Sequence, residues 1–351
     1  MRKTKKRYNN KRNKRNGRIG KNGKNGKNGR IGGRTEITKK DIVNKHNSSL
    51  KKLSCSPVSE KTEIKDYSCY SKKAIIKLRD IWNARHPDAK ILSTNPKEIH
   101  NELYKHLQNV CSTEACWLKQ TVDFGQIEDE DIKGAFAPKA PKEWKKNPKE
   151  WLSSLDISRV MQQYEEAYPC FAFIGPTPID FDTKLLHGEC VWDDLCKLKI
   201  EKILQDGKNK IGIVFNTDPH DKSGEHWISM FIKINMPEGW LKHAKDGLKH
   251  PTTGSIFFFD SVGSKPPKEV KVLADRIMKQ GLTMNPQIKF TYDQNHPVEH
   301  QYGNTECGVY SLYFIVEMLK DKITGNYLKT HILKDDYIHE FRKKFFNPPD
   351  M

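Results

Sequence analysis

Two periodicities of apolar residues divide this chain, and its first forty positions show neither. Between residues 66 and 119 the spacing is helical. "SKKAIIKLRDIWNARHP" puts Ile75, Leu78, Ile81 and Trp82 on one face, and "NPKEIHNELYKHLQNV" does the same with Ile99, Leu103 and Leu107. These patterns predict a small helical accessory module over 41–120. Residues 121–150, with "DFGQIEDEDIKG" followed by "APKAPKEWKKNPKE", are charged and proline-bearing, and read as a linker.

From Trp151 onward helical and strand patterns alternate. "DISRVMQQYEEAY" (156–168) is amphipathic with a helical period, and helices are further expected over 191–206, 267–281, 308–322 and 335–346. "IGIVFNT" (211–217), "HWISMFIKI" (226–234), "SIFFFDS" (255–261) and "QIKFTY" (287–292) are rich in β-branched and aromatic residues, as strands are. The sum is an α+β domain over 151–351, with a central sheet of mixed or antiparallel strands flanked by helices.

Composition supports a packed core, since 36% of the 351 residues are apolar and 15 Phe, 12 Tyr and 7 Trp are among them. No run approaches the roughly 18 apolar residues of a membrane span, and the N-terminus lacks the apolar segment of a signal peptide. No membrane contact is expected, and a reducing compartment is. In that setting eight cysteines without a CxxC pair predict free thiols. The spacings among Cys55, Cys69, Cys111 and Cys116 fit no zinc template, so no metal or other cofactor is expected.

Charge changes the picture only at the start of the chain. Of the formal +18, residues 1–40 carry 17 Lys/Arg against the single Glu36, and the remainder is nearly neutral. With its thrice-repeated KNG triplet this tail is expected to be disordered, and such arms bind DNA through phosphate contacts without reading sequence. A solubilising or targeting extension fits the same composition.

"QYGNTECGVYSLYF" (301–314) sets a thiol at the mouth of an apolar helix. Unpaired backbone donors and the helix dipole favour the thiolate there, so Cys307 is a candidate nucleophile. Asn304 or Thr305 is the expected N-cap, and Gly308 removes bulk where a substrate carbonyl would approach. An acyl-transfer cysteine also needs a base, a group that orients the base, and donors for the oxyanion. His226 opens a predicted strand, Asp260 closes the neighbouring one, and Gln301 lies six residues before the cysteine.

The order His-Trp, strand-terminal Asp and Gln-x5-Cys-Gly resembles the adenovirus-protease and ubiquitin-like-protein-protease superfamily of cysteine peptidases. "PKEWKKNPKEWLSSLDISRVMQQYEEAYPCFAFIGPTPIDFD" and "NTECGVYSLYFI" resemble most the thiol proteases of large nucleocytoplasmic DNA viruses, of the mimivirus type. The resemblance implies a papain-like core with Cys307 as nucleophile, His226 as base, Asp260 as its orienting acid and Gln301 as oxyanion donor. It implies a slot walled by Trp227 and Trp151 beside Gly308, too narrow for a Cβ and so selective for Gly-Gly before the scissile bond. Glu306 stands where the family commonly has Asp, and "NMPEGWLKHAKDGLKHPTTG" is expected to be an inserted loop between base and acid.

Three readings follow: a viral protease that processes structural polyproteins during virion maturation, in the virion or the host cytoplasm; a deconjugating peptidase for a ubiquitin-like modifier; or a nucleic-acid-associated structural protein with an inactive fold. "GRIGGRTE" adds a potential self-cleavage point after Gly33.

Overall fold

The computed structural model describes residues 50–121, 132, 134–235 and 252–351. The basic tail, most of "DFGQIEDEDIKG" and positions 236–251 of the expected insertion lie outside the described residues.

Five strands form one mixed sheet whose spatial order follows the sequence. They are β1 (Phe171–Pro178), β2 (Lys210–Asn216), β3 (Trp227–Asn235), β4 (Thr252–Phe259) and β5 (Ile288–Gln294). The outer pairs β1/β2 and β4/β5 are parallel, and the inner pairs are antiparallel. Both faces are covered, which is why β2 and β3 read as nearly unbroken apolar runs. Alternation then sorts the side chains. Phe231, Phe257 and Phe259 enter one core layer, while Met230, Ile256 and Phe258 enter the other.

Eleven α-helices lie among the described residues. Three belong to the N-terminal module: α1 (Lys72–Arg85), α2 (Pro96–Leu107) and α3 (Glu114–Thr121). Ser71 and Asn95 cap the first two with their side-chain oxygens, and Ile75, Leu78, Ile99 and Leu103 are fully buried between them, as their spacing predicts. Next come α4 (Ser154–Ala167), the short α5 (Asp193–Cys196) and α6 (Ile200–Gln205), and α7 (Lys268–Thr283). The last four are α8 (Cys307–Leu319), α9 (Gly325–Thr330), α10 (Asp335–His339) and α11 (Phe341–Phe345).

Helix α8 positions the site. Eleven of its thirteen residues are buried, and it lies on the sheet against β2 and β3. A Cβ on Gly212 of β2 would come within 2.7 Å of the Ile315 side chain and 2.9 Å of Phe171, so the missing side chain is what lets the helix settle this close.

Two expectations are revised. Part of the stretch read as linker is packed, since Ala135, Phe136, Ala137 and Ala140 are buried while 141–150 stay half-buried or exposed. Asn347 ties it down, its side chain bonding Ser54 and the Ala137 carbonyl while its backbone bonds Pro138 and Ala140. The thiols are the second correction. Cys55–Cys69, Cys111–Cys116 and Cys190–Cys196 are disulfides, leaving Cys170 and Cys307 free. Each pair is local in sequence, and turns between elements bring its members together, which a search for CxxC and zinc spacings does not detect. The cysteines therefore no longer argue for a reducing compartment.

Candidate active site

His226 directly precedes β3 and Asp260 directly follows β4, so two neighbouring antiparallel strands deliver them to the same end of the sheet. The imidazole Nε2 lies 2.7 Å from Asp260 Oδ1. Asp260 is buried and has little freedom: its carboxylate also accepts from the amides of Val262 and Ser264, and Asn295 brackets its backbone on both sides. With Nε2 engaged, Nδ1 is the ring nitrogen left for the sulfur of Cys307, whose influence, like that of Asp260, raises the pKa of the imidazole.

Burial is the largest influence on His226 and by itself would disfavour the imidazolium. The hydrogen bond to Asp260, the proximity of Cys307 and the charges of both outweigh it and hold the pKa up at about 9. A protonated imidazole can therefore face the sulfur across the neutral pH range.

Cys307 is the first residue of α8, at the end of the helix where the first-turn backbone N–H groups have no partner within the helix. The cap differs from expectation. Glu306, not Asn304 or Thr305, occupies the N-cap position, and its side chain makes no cap bond. Its buried carboxylate instead receives Arg342 Nε at 2.7 Å and faces His339 Nδ1 at 3.0 Å. Arg342, itself buried, further donates to the carbonyls of Thr305 and Glu150 and lies over the Trp144 ring. Nothing in the sequence marked Arg342, since one basic residue among several in a C-terminal helix gives no sign of pairing 36 positions upstream.

Gln301 is buried. Its Oε1 accepts from Ser261 Oγ at 2.8 Å, and its Nε2 donates to the Gly303 carbonyl at 2.9 Å. An amide nitrogen carries two N–H groups, so one remains for a substrate oxygen. Trp227 is fixed by a 2.9 Å bond from its Nε1 to the Leu152 carbonyl. A Cβ on Gly308 would sit 3.1 Å from Leu152 and 3.2 Å from Trp227, so the helix start and the indole are in tight contact. Trp151, 42% exposed, joins Trp227, Trp192 and Pro176 around a cleft of about 500 Å³ that also borders Glu225, next to His226. His226, Asp260, Gln301, Cys307 and Gly308 thus lie at strand ends, in the loop after β5 and at the start of α8, with Trp227 and Trp151 lining the cleft beside them.

A thiol at a helix start, an imidazole held by a buried carboxylate and an amide donor beside them on an α+β sheet are the groups that cysteine-protease chemistry requires. Residues 204–349 match the model of the Ulp1 protease family, C-terminal catalytic domain. It is 30% identical over 225 residues to a thiol-protease candidate of Acanthamoeba polyphaga mimivirus, covering 62% of this chain and 64% of that protein, just under two thirds of its length. A cysteine protease of African swine fever virus is 25% identical over 264 residues, covering 71% of this chain and 89% of the relative. The crystal structure of the African swine fever virus protease superposes with a TM-score of 0.53 at 19% identity, over 86% of this chain and 97% of the other, and so shares the fold.

Proposed function

We propose that this chain is a cysteine endopeptidase that cleaves after Gly-Gly sequences and processes viral structural polyproteins during virion maturation. The observation that carries the reading is the imidazole of His226, bound at 2.7 Å to a buried, immobilised Asp260 and raised to about 9 with Cys307 as its other partner. In this mechanism the Cys307 sulfur attacks the scissile carbonyl carbon, forming an S–C bond while the carbonyl π pair moves to oxygen. The free N–H of Gln301 and the backbone N–H of Cys307 receive that oxyanion. Protonated His226 gives its proton to the leaving amide nitrogen as the C–N bond breaks. Water then attacks the thioester, its proton passes to His226, and the S–C bond breaks to release the acid.

The cleft supports Gly-Gly selectivity. Trp227 is pinned by its bond to Leu152 and packed on Gly308, so it cannot swing aside for a substrate Cβ. Relatives from viruses support the setting, and the virion or the host cytoplasm is where such processing would occur.

A second reading is removal of a ubiquitin-like modifier. Several African swine fever virus relatives are named SUMO-1 cysteine proteases, which favours it. One experiment separates the two: wild-type protein is offered a short Gly-Gly-X peptide and a folded modifier fused through Gly-Gly. Polyprotein processing predicts cleavage of the peptide at a rate comparable to the fusion, and a fusion preferred by a hundredfold or more contradicts it. The basic tail, residues 1–40, would hold the enzyme on DNA. If so, deleting it removes salt-sensitive, sequence-independent binding. Undiminished DNA affinity in the truncated protein rules that role out.

A further inference from the structure

We infer that Asp335, far along the chain from the catalytic groups, is the positioning residue that holds the oxyanion loop in its working shape; this rests on the protease reading above. The loop 301–306 carries Gln301 and leads into Cys307, and no helix or strand supports it from within. Its support comes from α10. Asp335 Oδ2 accepts from the amide of Gly303 at 2.7 Å and from that of Tyr302 at 3.1 Å. Its other oxygen, Oδ1, lies 2.9 Å from the Tyr310 hydroxyl. That hydroxyl sits on α8 and also reaches the carbonyls of His300 and Leu333 at 3.0 and 2.8 Å, so one buried group joins the loop, the nucleophile helix and the segment before α10.

The path from Asp335 to the reacting oxygen is short. The Gly303 peptide nitrogen is bound by Asp335, and the carbonyl of the same residue accepts one N–H of Gln301 at 2.9 Å. That bond directs the amide and leaves its second N–H for the substrate. Gly303 lacks a Cβ, so little in its own backbone resists rotation, and an external anchor is needed to keep its carbonyl aimed at Gln301. From the other side Ser261 fixes Gln301 Oε1. Take away Asp335, and the donor keeps its chemistry but loses its orientation.

Sign separates this role from a purely electrostatic one. A carboxylate acting only through its charge opposes an oxyanion, and neutralising it would speed the reaction or leave it unchanged. A positioning carboxylate behaves otherwise: Asn at 335 keeps an oxygen for the two amides, and Ala does not.

The test compares wild type, Asp335→Asn and Asp335→Ala in the full chain. Three quantities are read: peptide turnover, inhibition by a peptide aldehyde ending in Gly-Gly, and alkylation of Cys307 by iodoacetamide. The aldehyde forms an S–C bond to the thiol, and the imidazolium proton goes to the aldehyde oxygen, which then occupies the oxyanion site. Alkylation needs no such site. For Asp335→Ala, kcat should fall by about 10- to 100-fold, within or below the loss from deleting one oxyanion donor. Aldehyde affinity should weaken in parallel, while KM and alkylation rate change by less than about threefold, and Asn should restore most of the activity. Should the alanine variant fail to fold, Asp335→Ser, polar but too short to span both amides, gives the same reading. Folded Ala or Ser protein with wild-type kcat overturns the proposal, as does a loss of alkylation equal to the loss of turnover. Wild-type protein that neither cleaves nor binds the aldehyde fails at the earlier step, and both readings fall with it.

Discussion

The His226 imidazole answers to opposing influences, and their balance predicts a pH profile. Desolvation favours the neutral ring, but Asp260 and Cys307 together hold its pKa at about 9. Activity that needs the thiolate–imidazolium pair should therefore persist through neutral pH and decline as pH rises through about 9. Asp260→Asn removes the main opposing charge while burial remains, so the alkaline limb of kcat/KM should move down by more than one pH unit. A limb that stays at the same pH in the variant would show that Asp260 does not set the ring's protonation. The same shift has a stability counterpart. Because the folded pKa lies above the unfolded value, the contribution is complete below about 6.5 and is lost as pH climbs from there through about 9.

Helix α8 depends on a contact that its own apolar pattern does not contain. Glu306 and Arg342 are a buried ion pair joining the start of α8 to α11 and to the segment before Trp151. Removing one partner strands the other charge in the interior. Arg342→Met should destabilise the fold by about 3 kcal/mol or more, and the double change Glu306→Met/Arg342→Met should recover much of it. Denaturant unfolding reads both, and a single variant as stable as wild type would mean that the pair carries no structural weight. How much was legible in the sequence follows the same line. The periodic run of α8, the strand ends at His226 and Asp260 and the helices of the N-terminal module could be read because burial imposes a regular pattern on them. Strand β1 could not. Its sequence "FAFIGPTP" contains two prolines and a glycine, and its pairing with β2 is irregular between Ile174 and Thr177, so the segment carries loop signals inside a strand. Gly175 shows why the glycine is there: at φ 111° a Cβ would meet the Val214 carbonyl at 2.6 Å. The Glu306 and Asp335 contacts were equally hidden, since both are made between residues more than thirty positions apart.

Two cores in the sheet domain and a third in the N-terminal module build the described molecule, and disulfides staple what packing alone leaves small. Cys55–Cys69 and Cys111–Cys116 both lie in the module, beside a core of Tyr70, Leu78, Leu103 and Trp117. Closing a loop of the Cys55–Cys69 length contributes on the order of 3 kcal/mol. Alkylation of unfolded protein under non-reducing conditions should therefore modify two thiols, Cys170 and Cys307, and all eight after reduction. Eight labelled without reductant would restore the free-thiol expectation, and a Tm unmoved by reductant would remove any stabilising role for the bridges.

The most direct test of the account is covalent capture. Wild-type protein and Cys307→Ala are each incubated with a Gly-Gly peptide ending in an electrophile that traps only an attacking thiolate, and intact mass and adduct site are measured. The account predicts one adduct on wild type, mapped to Cys307 and lost when His226 is replaced by Ala, with no adduct on Cys307→Ala. An adduct on Cys170, or equal labelling of the Cys307→Ala protein, would contradict it.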